Sequence, residues 1–470
     1  MPKTNWLFII LFSFIIFFVN KGYGQNNNVV INQILIEGIK RTKPHIILRE
    51  LPFKQGDQVN ITNLPNLLKE AKDNLDNITL FNEIDFNIDT LGIDVINVKI
   101  EVEERWYFWP VPVFELADRN LNVWWKEQNR DFKRVNLGGK IYFSNFRGLN
   151  DELRLNLQFG YAPKQEVRYT LPYISKKSKL GLIFNASRVT ANQIAYNTQN
   201  NKLSFIRDDK SLRNKIYTGI ALTKRKSYRT YQSIELTYHN TKVNDTIAQL
   251  NPNYFKEGKT TQQYFSLYYN YQIDKTDISD YPTTGYQLKF EAIKHGLGLY
   301  DDVNFWTVNT TLNKFGKLGK RHLFESQIKT QFVFNKNQPY FNQSALGYEQ
   351  NFVRGYELYV VDGQDYLLTK LGYKYHLTSF KLKPKIWSQF DNIPFDIYLK
   401  AYSDFAQVKD YVGLENDLAQ DLLFGYGVGV DIRSYYSLLA RFEYSINALG
   451  ENGLFLHLTL PLNNENSFVW

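Results

Sequence analysis

The chain reads LRLNLQFG at residues 153–160, FSLYYNYQI at 265–273 and LFLHLTLPL at 454–462. In each stretch one parity is apolar: Leu157, for example, lies on one face while Asn156 lies on the other. Successive side chains of a β-strand point to opposite faces, so this alternation predicts strands with two different surfaces. The pattern recurs from about residue 106 onward, between turns rich in Asn, Asp, Gly and Lys, which is typical of a transmembrane β-barrel.

A sheet that crosses lipid has to close, because no water is present to pair with the backbone groups of an open edge. Allowing roughly 10 residues per strand and connections of similar length, the chain beyond residue 105 provides about 16 strands. We therefore predict a mainly β fold, a transmembrane antiparallel barrel over residues 106–470. A soluble sandwich or propeller is the alternative. The aromatic content of 16% and the apolar faces favour the barrel.

The amino terminus indicates where the chain is sent. Lys3 precedes the apolar stretch WLFIILFSFIIFFV (6–19), which is shorter than the about 20 residues of a spanning helix. Small and polar residues follow, so residues 1–24 are predicted to be a secretory signal peptide that is cut after Gly24. An uncleaved membrane anchor is the alternative.

Composition excludes several kinds of site. The 470 residues contain no Cys and 6 His, the mean hydropathy is −0.40, and the net charge of +9 comes from scattered Lys and Arg. Disulfides and Cys-ligated metals are therefore excluded, and we predict no nucleic-acid partner. No nucleophile elbow, zinc-protease motif or phosphate-binding loop is present. A phospholipase would need a Ser tied to a His, and although His457 faces the lumen by parity, no motif provides that Ser. We predict no enzyme activity, catalytic residue, cofactor or metal.

Residues 29–104 follow a different pattern from the rest of the chain. Apolar residues at helical spacing alternate with strand-like segments, in the order β-α-α-β-β, which predicts helices layered on a three-stranded sheet. The segments are VVINQILIEGI (29–39), TKPHIILREL (42–51), TNLPNLLKEAKDNLDN (62–77), NEIDFNID (82–89) and DVINVKIEVEE (94–104).

This amino-terminal region resembles a POTRA domain. The resemblance lies in IEGIKRTKPHIILREL, KQGD, LFNEIDFNI and INVKIEVEER. Gly38 fits the turn after the first strand, and Gly56 with Asp57 fits the loop before the second helix. It implies a small periplasmic α+β domain at residues 25–105, ahead of the barrel.

The sharpest motif is NFVRGYE at residues 351–357. Val353, Arg354, Gly355 and Tyr356 resemble, residue by residue, the VRGY/F motif of the BamA/TamA-like family of outer-membrane barrel assembly and translocation proteins (bacterial surface antigen family). In that family the motif lies at the tip of a long extracellular loop that folds back into the lumen. The planar fork of an Arg suits paired hydrogen bonds to a carboxylate.

A partner for Arg354 lies in IYLKAYSDFA, residues 397–406. Parity alone places Asp404 on the lumen face, opposite Leu399. The family pattern, aromatic-x-Asp-x-Gly, implies that Asp404 meets Arg354, although Ala406 stands where the family has Gly. The alternatives are an ordinary polar lumen residue for Asp404 and a solvated loop charge for Arg354.

Two further segments resemble the family. In DKTDISDYPTTGYQLKFEA (274–292), Pro282 and Gly285 are predicted to form the turn between two strands. In FGYGVGVDIR (424–433), three glycines share one parity, which permits close packing in the lumen or a bend: Gly425, Gly427 and Gly429.

Aromatic residues at both ends of the predicted barrel have predicted roles. The stretch 106–125 carries four Trp that we predict to form an aromatic girdle on the periplasmic side, with a substrate-binding surface as the alternative: Trp106, Trp109, Trp124 and Trp125. Either Trp470 or the strand ending LTLPL is predicted to serve as the recognition signal for barrel insertion.

The resemblance implies an outer-membrane protein of a Gram-negative cell, with its amino-terminal domain in the periplasm. We expect it to assemble or insert outer-membrane proteins, with clients captured by strand addition to the POTRA sheet and by the barrel seam. Its partners would be outer-membrane lipids, unfolded outer-membrane or secreted clients, periplasmic chaperones and accessory lipoproteins. A dedicated secretion or transport pore is the second hypothesis, which the single POTRA domain favours. An adhesion barrel is the third.

Overall fold

The structure is a computed structural model that describes residues 28–459 except 93, 119, 176–179, 228, 279–280, 301, 349–350, 383–392, 414–415 and 435–437. The predicted signal peptide and Trp470 lie outside the described residues. The chain divides into two compact units. One runs to Trp106 and includes Asn145–Asn150, and the other comprises Tyr107–Ser144 and the chain from Asp151. Among the described residues, no helix is both long enough and apolar enough to cross a membrane.

The first unit is an α+β domain with a mixed sheet. Its elements are β1 (Asn28–Glu37), α1 (Pro44–Leu48), β2 (Gln58–Asn60), α2 (Leu64–Asn77), β3 (Phe81–Thr90) and β4 (Val95–Glu104). The sheet order is β2-β1-β4-β3, with β1 parallel to β4. The predicted three-stranded sheet is therefore corrected to four strands. Strand β2 was missed because three residues are too few to show alternation.

The core of this unit lies between the sheet and α2. The helix turns Ala71 and Leu75 inward, where they are fully buried, as are Val98 and Ile100 of β4. Gly38 has a φ of +85°, and a Cβ there would overlap the carbonyl oxygen of Val102. Only glycine fits this turn, which explains why Gly38 follows the first strand.

The second unit is built almost entirely from strands. In chain order its elements are β5 (Phe108–Leu116), α3 (Leu121–Lys126), β6 (Val135–Ser144), β7 (Glu152–Gly160), β8 (Lys164–Ser175), β9 (Leu180–Ala191), β10 (Gln193–Gln199), β11 (Lys202–Arg207), β12 (Arg213–Ser227), β13 (Thr230–Val243), α4 (Asp245–Leu250), β14 (Thr261–Asp274), β15 (Gly285–His295), β16 (Phe305–Leu318), β17 (His322–Phe334), β18 (Ser344–Leu346), β19 (Val361–Asp362), β20 (Asp365–Leu382), β21 (Ile393–Lys409), β22 (Leu422–Arg433), β23 (Leu439–Asn447) and β24 (Asn452–Thr459).

One sheet of 16 antiparallel strands runs from β5 to β24 in chain order, and the short pairs β10–β11 and β18–β19 stand outside it. This confirms the predicted barrel of about 16 strands. Its outer surface is apolar, since Leu157 is 48% exposed, whereas Asn156, on the opposite face, is 2% exposed. An apolar exterior around a polar interior is the reverse of the arrangement in a soluble protein and suits a lipid bilayer.

Because neighbouring strands are antiparallel, their connections alternate between the two ends of the barrel. The β5–β6, β17–β20 and β23–β24 connections share one end, and the β14–β15 turn lies at the other. The predicted single girdle is wrong for this reason. Trp109 lies at the start of β5 and Trp106 precedes that strand in the chain, whereas Trp124 and Trp125 lie on α3, after the strand has crossed the barrel.

Candidate functional site in the barrel lumen

The β17–β20 connection, residues 335–364, places its tip among lumen-facing side chains of the barrel. Val353 is 1% exposed and Tyr356 is 3% exposed, and both pack in one apolar cluster with Leu368 of β20 and Val408 of β21. Gly355 has a φ of +96°, which L-residues rarely adopt. The predicted motif is therefore a tight turn wedged against the barrel wall.

Arg354 meets Asp404 in the arrangement that the family pattern implies. Its Nε donates to Asp404 Oδ2 at 2.9 Å, its Nη2 donates to Oδ1 at 2.5 Å, and its backbone N–H donates to Oδ2 at 3.0 Å. The guanidinium carbon lies 3.9 Å from the centre of the Tyr402 ring. Asp404 is fully buried and Arg354 is 8% exposed. A forked, stacked Arg of this kind cannot be replaced by Lys without loss of geometry.

Missing side chains on β22 make room for the loop tip. A Cβ at Gly425 would overlap the carbonyl oxygen of Arg354, and one at Gly427 would lie 2.6 Å from the hydroxyl of Tyr402. These glycines share one parity of β22, and their common face is the lumen face. Ala406, which departs from the family's Gly, is 2% exposed and its methyl group packs in the same apolar cluster as Val353.

A network of charges extends from this pair along the lumen wall. Lys400 Nζ lies 2.6 Å from both Asp431 Oδ1 and Glu443 Oε1, and Arg354 Nη1 lies 3.6 Å from Glu443. Lys374 joins Asp431 at 3.5 Å. Anions and cations are therefore interleaved, which compensates charges that would otherwise be costly to bury.

The predicted turn between β14 and β15 lies at the other end of the barrel. Gly285 has a φ of +106°, and a Cβ there would overlap the carbonyl oxygen of Lys275, which accounts for the glycine. Pro282 lies in the turn. Its neighbour Tyr281 is buried and donates a hydrogen bond to Asp431 Oδ2 at 3.0 Å.

Asp277 organises the same turn. Its carboxylate accepts hydrogen bonds from the hydroxyl and N–H of Thr283 and from the N–H of Thr284, the last two at 2.9 Å and 3.1 Å. Burial acts to raise the pKa of Asp277, but these hydrogen bonds outweigh it and hold the pKa well below its ordinary value. The carboxylate is therefore ionised at neutral pH and ties the two halves of the turn together.

Three lumen residues bring metal-ligating atoms together. Ligand atoms of Glu357, Glu443 and His457 lie within 4.8 Å of one another. The imidazole Nε2 lies 3.2 Å from Glu443 and 3.7 Å from Glu357, and the ring stacks on Phe352. Since Glu443 also pairs with Lys400, this trio is continuous with the ion-pair network.

The predicted residues therefore fall into two places. Val353, Arg354, Gly355, Tyr356 and Asp404 come together in the lumen. Pro282 and Gly285 lie in the β14–β15 turn, and Pro282 lines the same lumen cavity as Arg354. The sequence reasoning missed Glu357, Tyr281 and two asparagines near α3. Asn120 Nδ2 donates to the carbonyl of Glu357 at 2.9 Å. Their partners lie far away in the chain, so no local pattern marked them.

Comparisons with known proteins agree with this architecture. Residues 145–452 match the model of the Omp85 superfamily domain, and residues 29–105 match a POTRA model described as a surface antigen variable number repeat. No curated protein sequence matches the chain.

Solved structures share the fold at low identity. BamA from Haemophilus ducreyi lacking POTRA domains 1-3 is 14% identical with a TM-score of 0.66, and the match covers 91% of this chain and 83% of that one. CdiB from Escherichia coli is 13% identical with a TM-score of 0.53, covering 92% and 75%. The matched domains, the 16-stranded sheet and the inward-folded VRGY loop lead to one conclusion: the chain belongs to the Omp85 superfamily.

Proposed function

We propose that this protein assembles or inserts other β-barrel proteins in the outer membrane, with its POTRA domain in the periplasm. The observation that carries the proposal is the free edge of the POTRA sheet. Strand β3 is ten residues long, lies at the end of the sheet order and pairs, among the described residues, with β4 alone. An edge of this length can add an extended client segment by backbone hydrogen bonding.

The register of β3 identifies the groups that a client would meet. Leu91 donates its N–H to the carbonyl of Val95 on the β4 side, so alternate residues from there bond to β4. Ile84, Phe86, Ile88 and Thr90 therefore direct their backbone groups outward. Ile88 is 41% exposed, so its side chain is available to a client as well.

The Arg354–Asp404 clamp supports the same role in the barrel. It fixes a long loop inside the lumen. The two ends of the strand order are β5 and β24, and a closed wall has to be joined between them. A weakly paired join is where a client strand is templated. The partners are then unfolded outer-membrane proteins, the lipids around the barrel, periplasmic chaperones and accessory lipoproteins.

A dedicated secretion or transport pore is the second candidate. The lumen encloses a cavity of about 580 Å³ lined by charged side chains that include Arg354, Lys370 and Glu443. A polar lumen suits passage of an extended chain once the loop moves aside. Planar-bilayer conductance together with loss of a single secreted protein on deletion would favour this role.

The test is outer-membrane proteomics after depletion of the protein and complementation with β3 variants. We expect depletion to lower many barrel proteins and the wild-type gene to restore them. Ile88→Pro removes an outward N–H and is expected to restore them poorly. Ile88→Ala loses the same side chain, keeps the N–H and is expected to restore them well. Unchanged barrel levels on depletion would refute the assembly role.

A further inference from the structure

Three metal-ligating side chains from separate elements meet in the barrel lumen. Glu357 follows the VRGY motif in the β17–β20 connection, Glu443 lies on β23 and His457 lies on β24. One ligand atom of each lies within 4.8 Å of the other two. Because the three elements are apart in the chain, no ligand spacing marks this set, which is why the sequence predicted no metal.

The oxygen atoms of the two carboxylates divide into two sets. Glu357 Oε2 accepts the N–H of Gly355 at 2.8 Å. Glu443 Oε1 lies 2.6 Å from Lys400 Nζ. The other two oxygens, Glu357 Oε1 and Glu443 Oε2, lie 3.7 Å and 3.2 Å from His457 Nε2. Each carboxylate is therefore oriented through one oxygen and presents the other to the imidazole, as metal ligands do when outer partners hold them.

Two atoms that face each other in this cluster lack hydrogen bonds. Among the described residues, neither Glu357 Oε1 nor His457 Nε2 has a hydrogen-bond partner, although both atoms are buried. Glu357 as a whole is 1% exposed. Buried polar atoms are normally paired, and an unpaired one calls for a water molecule or an ion. A cation between the carboxylate and the imidazole would satisfy both atoms.

The separations fit a tetrahedral transition-metal ion. Zn²⁺ binds His nitrogens and carboxylate oxygens at about 2.0–2.2 Å, so neighbouring ligand atoms around it lie about 3.3 Å apart. The distances from His457 Nε2 to Glu443 and Glu357, 3.2 Å and 3.7 Å, are close to that value. Ca²⁺ and Mg²⁺ take about six or more ligands, and these are oxygens. A set of one nitrogen and two carboxylates therefore suits Zn²⁺ better.

The cluster borders the lumen cavity, which leaves room for a fourth ligand. Glu443 and His457 both line this cavity of about 580 Å³. Water completes the coordination of Zn²⁺ in sites that have three protein ligands. The ring of Phe352 stacks on His457 with the centroids 5.4 Å apart, which fixes the orientation of the imidazole.

We propose that Glu357, Glu443 and His457 bind a divalent transition-metal ion such as Zn²⁺, which ties the VRGY loop to strands β23 and β24. The loop contributes Glu357 and the wall contributes the other two ligands. The bound ion is then a second attachment of the loop, beside the Arg354–Asp404 clamp. This metal site does not depend on the assembly role, because lumen side chains alone compose it.

The test measures Zn²⁺ binding to the purified full chain, without an affinity tag, in detergent micelles after treatment with EDTA. Isothermal titration gives the affinity, and elemental analysis of the dialysed protein gives the metal content. We expect one Zn²⁺ per chain and no comparable uptake of Ca²⁺ or Mg²⁺. His457→Ala, Glu357→Gln and Glu443→Gln are each expected to weaken binding about 100-fold or more, since even the outer partners of metal ligands are worth about 10–100-fold.

His376→Ala is the matched control. Its Nε2 lies near a single carboxylate among the described residues, that of Asp396 at 3.9 Å. We expect this variant to keep the Zn²⁺ affinity of the wild type. Folding of every variant is checked by heat-dependent migration in gels.

Two further readouts use the wild type, so they hold even where a variant fails to fold. Co²⁺ absorbs visible light strongly in four-coordinate sites and weakly in six-coordinate ones, and we expect the strong band in the wild type and its loss in His457→Ala. Zn²⁺ is also expected to slow backbone hydrogen exchange in residues 351–357 of the wild type.

Absence of stoichiometric Zn²⁺ binding by the wild type would overturn the proposal and leave His457 as an ion-pair partner of the two carboxylates. Binding that persists in folded His457→Ala barrels would overturn it as well. Zn²⁺ binding without slower exchange in the loop would refute the attachment of the loop to the wall. If Zn²⁺ binds as expected while depletion spares barrel proteins in cells, the metal site stands and the assembly function fails.

Discussion

Removing either partner of the Arg354–Asp404 clamp is predicted to destabilise the barrel strongly, and removing both to cost little more. Three hydrogen bonds join the two residues, and Asp404 is fully buried. Arg354→Ala leaves that carboxylate with Lys370 at 4.0 Å as its nearest remaining cation. Breaking a buried pair from one side costs about 3–5 kcal/mol. Because either single variant loses both side-chain hydrogen bonds of the pair, the coupling energy is expected to be about 3 kcal/mol.

The assay is urea unfolding in micelles, followed by the fluorescence of the 8 Trp, for the wild type, the two Ala variants and the double variant. Midpoints and slopes give each free energy of unfolding. Lys289 and Glu291 on β15 provide a matched control, since their 2.9 Å ion pair has side chains 33% and 18% exposed. Its coupling is expected to be about 1 kcal/mol or less. Single-variant costs at Arg354 and Asp404 that add up within about 0.5 kcal/mol would refute the clamp.

Three further predictions test the packing around the site. Gly425→Ala places a methyl group on the carbonyl of Arg354 and is expected to lower stability by about 1–3 kcal/mol, whereas Gly316→Ala, with nothing within 4 Å of its Cβ, should change it little in the same urea assay. Tyr281→Phe loses the bond to Asp431 and should cost about 1–2 kcal/mol by urea midpoint, and an unchanged midpoint would contradict that contact. Asp277→Asn should cost about 1 kcal/mol at neutral pH, discounted for the solvent around this turn. Because the folded pKa of Asp277 is depressed, its contribution is present above 3.8 and fades as pH falls below that value, so the difference should shrink in acid, and a difference that grew there would count against it.

Strand parity carried most of the barrel prediction. Alternation is local information, so it placed Asp404 inward and Leu399 outward without any knowledge of neighbouring strands. The lumen residues Lys400 and Glu443 follow the same rule, as does His457, which contacts Glu443. What parity does not give is which lumen residues meet, because that depends on strand order and on where a loop folds. For Arg354, the resemblance to the family motif predicted the partner, Asp404.

The residues that escaped prediction are those whose partners are distant in sequence. Asn122 and Leu456 are separated by 334 positions, and Tyr281 and Asp431 by 150. Asn122 lies on a short helix that has no strand or long-helix pattern. A signal for the seam was nevertheless present, since Pro110 and Pro112 share one parity of the first strand. Because proline has no backbone N–H to donate, two prolines on one parity indicate an edge of the sheet with few hydrogen-bond donors.

The most direct measurement of the central claim is client folding in a purified system. The protein is reconstituted into lipid vesicles, a urea-unfolded eight-stranded outer-membrane barrel is added, and its folded fraction is followed by heat-dependent migration. We predict faster folding than with empty vesicles, and loss of that gain in vesicles that carry the Ile88→Pro variant but not the Ile88→Ala variant. Folding no faster than in empty vesicles, or an equal gain from both variants, would contradict the account.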